Sequence, residues 1–316
     1  MSKRMACLAA GATLVVLSVP SPASAEAPGL WSSTFRPAAT DCGAFDRDAN
    51  DFCFIDDGGS VELGVKFRSS EAVDIVGVRA YRTDAGSVTG SLWTADGTRL
   101  AQTAPFEGAA THGWQEAPFS RPVEIAPGQT FIASYYAPDA DYAFEYSYFT
   151  NSSVTAGPIT ALQSVVGDGN GVFCYDGGSC SFPSQTYRDL NYWVTPLWAY
   201  RFTGFAQPVD NNGVYNVVKA GSAIPVKFSL HGDHGLAVLA AGAPQSGKLA
   251  CDSNAPQDAV EQTVTAGGSG LSYDAVTDQY TYVWKTDKTW GGTCRQLQVR
   301  LSDGSAAKTA NFTFTR

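Results

Sequence analysis

The chain has 316 residues, 44% of them hydrophobic and 16% charged, and a formal net charge of −9. An acidic surface repels phosphate backbones and anionic lipid, so nucleic acid and membrane-surface partners are disfavoured and neutral polymers stay open. Beyond the first 25 residues no run approaches the ~18 consecutive apolar residues of a membrane span, and no membrane insertion is expected.

Residues 1–25 read as a secretory signal peptide. Lys3 and Arg4 give a basic start, Ala6 to Val19 is apolar, and Ala23, Ser24 and Ala25 form an A-x-A cleavage site. The mature chain is then expected to begin at Glu26 and to be secreted into the extracellular space. Loss of Lys3 and Arg4 leaves 19 basic residues against 30 acidic ones, a net charge of −11. Of the 7 cysteines, Cys7 leaves with the peptide; Cys42, Cys53, Cys174, Cys180, Cys251 and Cys294 remain. An even number in an exported chain points to disulfides, and the absence of any C-x-x-C pair weakens a zinc reading. Spacing favours Cys42 with Cys53, Cys174 with Cys180 and Cys251 with Cys294, although six cysteines allow fifteen connectivities.

The segment DCGAFDRDANDFCFIDDGG, Asp41 to Gly59, is the densest acidic cluster. Asp46, Asp48 and Asn50 match the first, third and fifth positions of a calcium loop, and Asp57 falls at the last. Asp51, however, stands where that loop needs glycine, and Asp57 is shorter than the bidentate glutamate. The segment is therefore not an EF-hand. A solvated acidic loop is the first reading, and an irregular calcium site the second. No other cofactor is indicated.

In VELGVKF, Val61, Leu63, Val65 and Phe67 alternate with the other phase, and in AIPVKFSL the same holds for Ile224, Val226, Phe228 and Leu230. Each stretch reads as a strand with one buried face, leaving Lys66 and Lys227 on the solvated side. Turn signals at Asp57-Gly58, Asp96-Gly97, Pro127-Gly128, Asn212-Gly213 and Asp303-Gly304 separate short β-branched and aromatic runs. No long stretch has a 3.6-residue period, so the class is all-β.

Aromatic residues are the main candidates for recognition. Trp93 lies in SLWTADGTRL, and Trp114 shares a strand phase with Glu116, opposite Ala117 and Phe119. In DYAFEYSYF, Tyr142, Phe144, Tyr146 and Tyr148 share one phase, with Ala143, Glu145 and Ser147 on the other. The first reading puts the aromatic phase in the core. Three tyrosine hydroxyls that need partners make an exposed platform the alternative. The candidate ligand-binding set is Trp114, Glu116, Tyr142, Tyr146, Tyr148 and Trp93.

Residues 151–190 form a long Gly- and Ser-rich stretch whose strands are hard to place, held in shape by the expected Cys174–Cys180 staple. NYWVTPLWAYRF then reads as a closing strand, and Pro208 follows. Two β-sandwiches are expected, residues 26–201 and 202–316, with little linker between them. His231 and His234 in HGDHG follow a strand and read as a solvated turn in preference to a metal site. No G-x-S-x-G elbow occurs and no spacing singles out a carboxylate pair, so an enzyme is not expected.

Residues about 55 to 197 resemble domain-of-unknown-function family 4082, through VELGVKF, GSLWTADGTRLAQ, GWQEAPF, PVEIAPGQTFIASYYAP, AGPITA, NGVF and FPSQTYRDLNYWV. The resemblance implies a jelly-roll-like β-sandwich of the kind found in secreted, multi-domain bacterial proteins. The family commonly closes with Asn-Tyr-Trp-Val-Asp, whereas Thr195 follows Val194 here. Residues about 202 to 316 resemble the PxKF domain through Pro225, Lys227 and Phe228, which implies an immunoglobulin-like sandwich. The expectation from residues and resemblance together is a secreted, non-catalytic two-module protein that binds extracellular polysaccharide or another neutral surface polymer. A structural surface or matrix protein without a small ligand is the alternative, and an uncharacterised hydrolase the third reading.

Overall fold

The structure, a computed structural model, describes residues 26–37, 53–56, 59–82, 86–107, 113–139, 141–175, 182–265 and 270–316, those at 53–56, 107 and 141 by backbone alone. It is all-β. The strand β2 (Val61–Ser69) shows why: Leu63, Val65 and Phe67 are fully buried, and the opposite phase carries Glu62, Gly64, Lys66 and Arg68. β2 pairs antiparallel with β8 (Thr130–Ala137), which pairs with β4 (Ser87–Thr94) and so with β5 (Arg99–Gln102). The other edge of β2 meets β11 (Ile159–Ala161) and β12 (Val172–Tyr175) in turn. β6 (Phe106–Glu107), β10 (Val154–Ala156) and β13 (Gln185–Thr186) extend this sheet at β4, β11 and β12.

The second layer is the sheet β14 (Val194–Tyr200), β3 (Val73–Arg82), β7 (Gly113–Ile125), and β1 (Cys53–Asp56) pairs with β9 (Asp141–Phe144). Leu63, Val65, Phe67 and Phe131 from the large sheet share one core with Val73, Ile75 and Val78 from the small one, giving a β-sandwich. A bulge between Ile75 and Gly77 resets the phase of β3. A Cβ on Gly77 would lie 2.4 Å from the Ala117 carbonyl oxygen, so the bulge needs glycine. Beyond it Arg79 and Tyr81 stand in register with Glu116 and Trp114 of β7.

The Gly-rich stretch is tied to β2 by one side chain. Asn170 accepts from the Lys66 amide (2.8 Å) and donates to the carbonyls of Lys66 (2.9 Å) and Leu162 (2.7 Å). Gly171 follows with φ 76°, and a Cβ there would lie 1.7 Å from the Leu190 oxygen. Cys174 is disulfide-bonded. Cys42 and Cys180, the side chain of Cys53 and the calcium candidates Asp46, Asp48, Asn50 and Asp57 lie outside the described residues.

A second sandwich follows. One sheet is β15 (Phe205–Ala206), β17 (Ala223–Phe228) and β22 (Gln279–Lys285), with β20 (Val264–Thr265) and β21 (Leu271–Asp274) also on β22. The other is β16 (Tyr215–Lys219), β24 (Lys308–Thr315), β23 (Cys294–Val299), β18 (Gln245–Leu249) and β19 (Glu261–Gln262), with β16 and β24 parallel. Val226, Phe228, Tyr280, Trp284, Leu297 and Phe312 form its core, and Cys251–Cys294 closes within it as spacing predicts. Tyr200 packs against both cores, and its amide donates to Asp303 (2.7 Å). The hydrogen-bonded pair Glu71–His234 and the ion pair Glu124–Arg201 flank it. The ring of His234 is 4.9 Å from Tyr200, so this histidine is a junction residue and not the solvated turn expected from sequence. Among the described residues no group of three or more His, Cys, Asp or Glu could hold a metal ion.

Candidate functional site

The six aromatic and acidic candidates separate onto different parts of the first sandwich. Tyr142 (6% exposed) and Tyr146 (7% exposed) belong to its core, as the first reading of their phase has it, so the alternative of an exposed ligand-binding platform through these two does not hold. Ala143, on the other phase within the strand, is buried too, and past Phe144 the chain turns, so alternation no longer sorts the side chains and Glu145 is also buried. Tyr146 carries the Arg188 guanidinium over its ring at 5.0 Å. Tyr148 is half-buried, and burial raises its phenol pKa.

Trp114 and Glu116 do share a face, and that face is covered over Trp114 while Glu116 stays at its exposed rim. Residues 26–37 lie across it: Trp31 stacks on Trp114 (6.3 Å between centroids), and the Trp114 indole donates to the Phe35 carbonyl (2.7 Å). Trp31 also meets Tyr148 and Trp193 edge-on. Arg79, almost wholly buried, pairs with Glu26 and Glu116 and donates to the carbonyls of Ala27 (2.9 Å) and Trp31 (3.0 Å). Sequence phase found the pair of Trp114 and Glu116. It carried no sign that a segment before the first strand would occupy it.

The opposite outer face is different. Register puts Glu62, Tyr136 and Thr89 in one row across β2, β8 and β4, then Gly64, Ser134 and Ser91, then Lys66, Ile132 and Trp93. On β5, Gln102 stands opposite Ser91, and Arg99 opposite Trp93. The middle row is small. It leaves a cavity of about 360 Å³ lined by Glu62, Thr89, Trp93, Gly97, Arg99, Gln102 and Tyr136. Trp93 (5% exposed) is wedged against Ile132, Val172 and Phe182 and lines the cavity. Its indole donates to the Ser134 hydroxyl (2.7 Å), which in turn donates to Glu62 Oε1. Arg99 lies over the Trp93 ring at 5.4 Å.

Glu62 is only 8% exposed, and burial pushes its carboxyl from an ordinary 4.5 up to about 7, outweighing the Ser134 hydrogen bond and the Arg99 charge. A carboxyl displaced in this way, set in a cavity beside an arginine and an aromatic ring, makes this cavity the candidate site of the first sandwich. Alternation in VELGVKF implied that Glu62 is solvated. The signal that could have found it is the serine and glycine content of its neighbours in register, legible only once strand pairing is known.

Residues 49–194 match the family described as Domain of unknown function (DUF4082). The match covers just under half the chain and takes in every residue that lines the Glu62 cavity. It starts after the segment 26–37 that covers Trp114 and ends just before Thr195. A search of curated proteins found no match.

Proposed function

We propose that this protein is a secreted, non-catalytic two-module binder whose first sandwich holds a neutral extracellular polymer, such as carbohydrate, at the Glu62 cavity. The observation that carries this reading is the composition of that cavity. An indole, a phenol, a guanidinium, a carboxyl and a carboxamide converge on an open concavity, which suits a ring with an apolar C–H face and hydroxyls around its rim. The second sandwich serves as an immunoglobulin-like spacer of the PxKF kind. Its parallel β16–β24 pair and the Cys251–Cys294 bridge support that assignment. So does the place of Pro225: β15 pairs only with Lys227 and Phe228, leaving the strand edge beside a residue without an N–H open.

Affinity gel electrophoresis on a panel of soluble neutral polysaccharides tests the reading. Retardation of the intact protein, weakened by Gln102→Ala, is the expected result. If no polysaccharide retards it, the structural surface or matrix role takes its place.

A further inference from the structure

Glu62 is wired so that only one of its oxygens is free. An indole N–H can only donate, so the Ser134 oxygen is the acceptor for Trp93 and the single hydroxyl proton of Ser134 goes to Glu62 Oε1. Oε2 has no hydrogen-bond partner among the described residues. The same is true there of the Arg99 guanidinium, which lies over the Trp93 ring and whose charge reaches Glu62, and of the Tyr136 hydroxyl. Beside Ser134, the buried Ser91 hydroxyl is also unpartnered among the described residues. The face thus has unspent hydrogen-bonding capacity around one carboxyl oxygen, with a cation 5.4 Å above the neighbouring indole ring.

We propose that the cavity takes a neutral vicinal diol, as found on a sugar ring, one hydroxyl donating to Glu62 Oε2 and its neighbour accepting from Arg99, and that binding releases a proton from Glu62 to solvent. This inference rests on the reading of the cavity as a polymer-binding site and adds the bonding unit and its regulation. A carboxyl pushed up to about 7 is half-protonated near neutrality. A ligand O–H bonds to the ionised form and stabilises it, so the ligand draws the proton off. The proton balance is simple: the acid becomes a carboxylate and the proton passes to buffer.

The groups around Glu62 leave its titration as the dominant one in this range. β5 contributes Arg99, a permanent cation, and β8 contributes Tyr136. β4 contributes Thr89 and Trp93, which do not titrate. On β12 the residue in register is Cys174, which is disulfide-bonded, and Tyr175 beside it bonds through its hydroxyl to Tyr142. Along β2, Lys66 is paired with Asp168.

The test uses the full secreted chain with galactomannan and mixed-linkage β-glucan as probes. Affinity for a retained glycan should rise about tenfold from pH 6 to pH 8, as expected when only the ionised form of a group titrating near 7 binds. Calorimetry at pH 6.5 in two buffers of different ionisation enthalpy should show net proton release. Glu62→Gln, an isostere of the protonated acid, should melt no lower than the wild type at acidic pH and higher than it at pH 8, and bind with a flat pH profile. Arg99→Gln should bind more weakly and stay pH-dependent, with the midpoint moved upward because the Arg99 charge no longer favours ionised Glu62. A flat profile in the wild type, proton uptake on binding, or an unchanged slope in Glu62→Gln would overturn the inference while leaving the cavity a glycan site. Failure of every neutral glycan to bind at pH 8 would remove the underlying reading and this inference with it.

Discussion

Arg79 and Arg99 stand on opposite outer faces of the first sandwich, each beside a tryptophan and a glutamate. Around Arg79 the chain supplies its own ligand: Glu26 and Glu116 take the charge, the carbonyls of Ala27 and Trp31 take further N–H groups, and Trp31 covers Trp114. Around Arg99 the corresponding capacity is open, and Glu62 keeps one oxygen without a partner among the described residues. The difference teaches that residue type does not separate packing from recognition. What separates them is whether the donors and acceptors of a face are already satisfied from within the chain.

The largest effect is expected where the covered face is opened. Trp31→Ala removes a buried indole from between Trp114, Tyr148 and Trp193. It should destabilise the first sandwich by about 3 to 5 kcal/mol in denaturant unfolding. Glycan retardation by the folded variant at pH 8 should stay at the wild-type level. Loss of retardation without unfolding would mean that the two faces are coupled.

Next in size is the stability that depends on Glu62. Its folded-state pKa, about 7, lies above its ordinary 4.5. The folded protein therefore binds the proton more tightly than the unfolded chain does. The stabilising contribution is complete below pH 4.5 and is lost as pH rises through about 7, amounting to roughly 3 kcal/mol. Urea unfolding between pH 4.5 and 8.5 should show this decline in the wild type, and the Glu62→Gln curve should lack it. Parallel curves would show that the carboxyl is better solvated than its surroundings indicate.

Much of the sandwich was legible from sequence because β2 and β17 put their alternating apolar residues in the core, so a period of two encodes that buried phase directly, while the other phase of β2 runs from buried Glu62 and Gly64 to exposed Arg68. Cys251–Cys294 was legible for a similar reason, since spacing placed both in one sandwich. The candidate site was not. Trp93 was visible as a residue, but Glu62 gains its character from Ser134 and Arg99, which are 72 and 37 positions away and reach it only through strand register. DYAFEYSYF was legible in part: its aromatic phase enters the core as first read and Ser147 is exposed, but Glu145, just past the end of the strand at Phe144, is buried against expectation.

Thr195 offers a finer cut at the covered face. It stands in register with Arg79, one residue beyond the end of the family match. Its hydroxyl accepts the Leu30 amide at 2.7 Å and donates to the Pro196 carbonyl at 3.0 Å. The charge for Arg79 comes from Glu26 and Glu116, so the hydroxyl is free to anchor the segment that covers the face. Thr195→Val keeps the shape and leaves a buried amide unpaired, at a cost of about 1 to 3 kcal/mol. Hydrogen exchange should quicken at Leu30 before it does in β3 or β14. Uniform quickening would place the segment and the sheet in one cooperative unit.

The smallest effect on stability, and the sharpest on function, is expected at Arg99. It is exposed and lies over the Trp93 ring, so Arg99→Ala should alter unfolding by less than about 0.5 to 1 kcal/mol, the range of an exposed cation–π contact. Removing it also removes the positive charge that favours ionised Glu62, so the Glu62 pKa should rise further. Two consequences separate Arg99 from a merely solvated arginine. Glycan affinity at pH 8 should fall, because an acceptor on the ligand loses its donor. The pH at which affinity reaches half its limiting value should move upward, because Glu62 becomes harder to ionise. Retardation measured across pH 6 to 9 reads both, and a variant that loses affinity with no movement of the midpoint would show that Arg99 acts on the ligand alone.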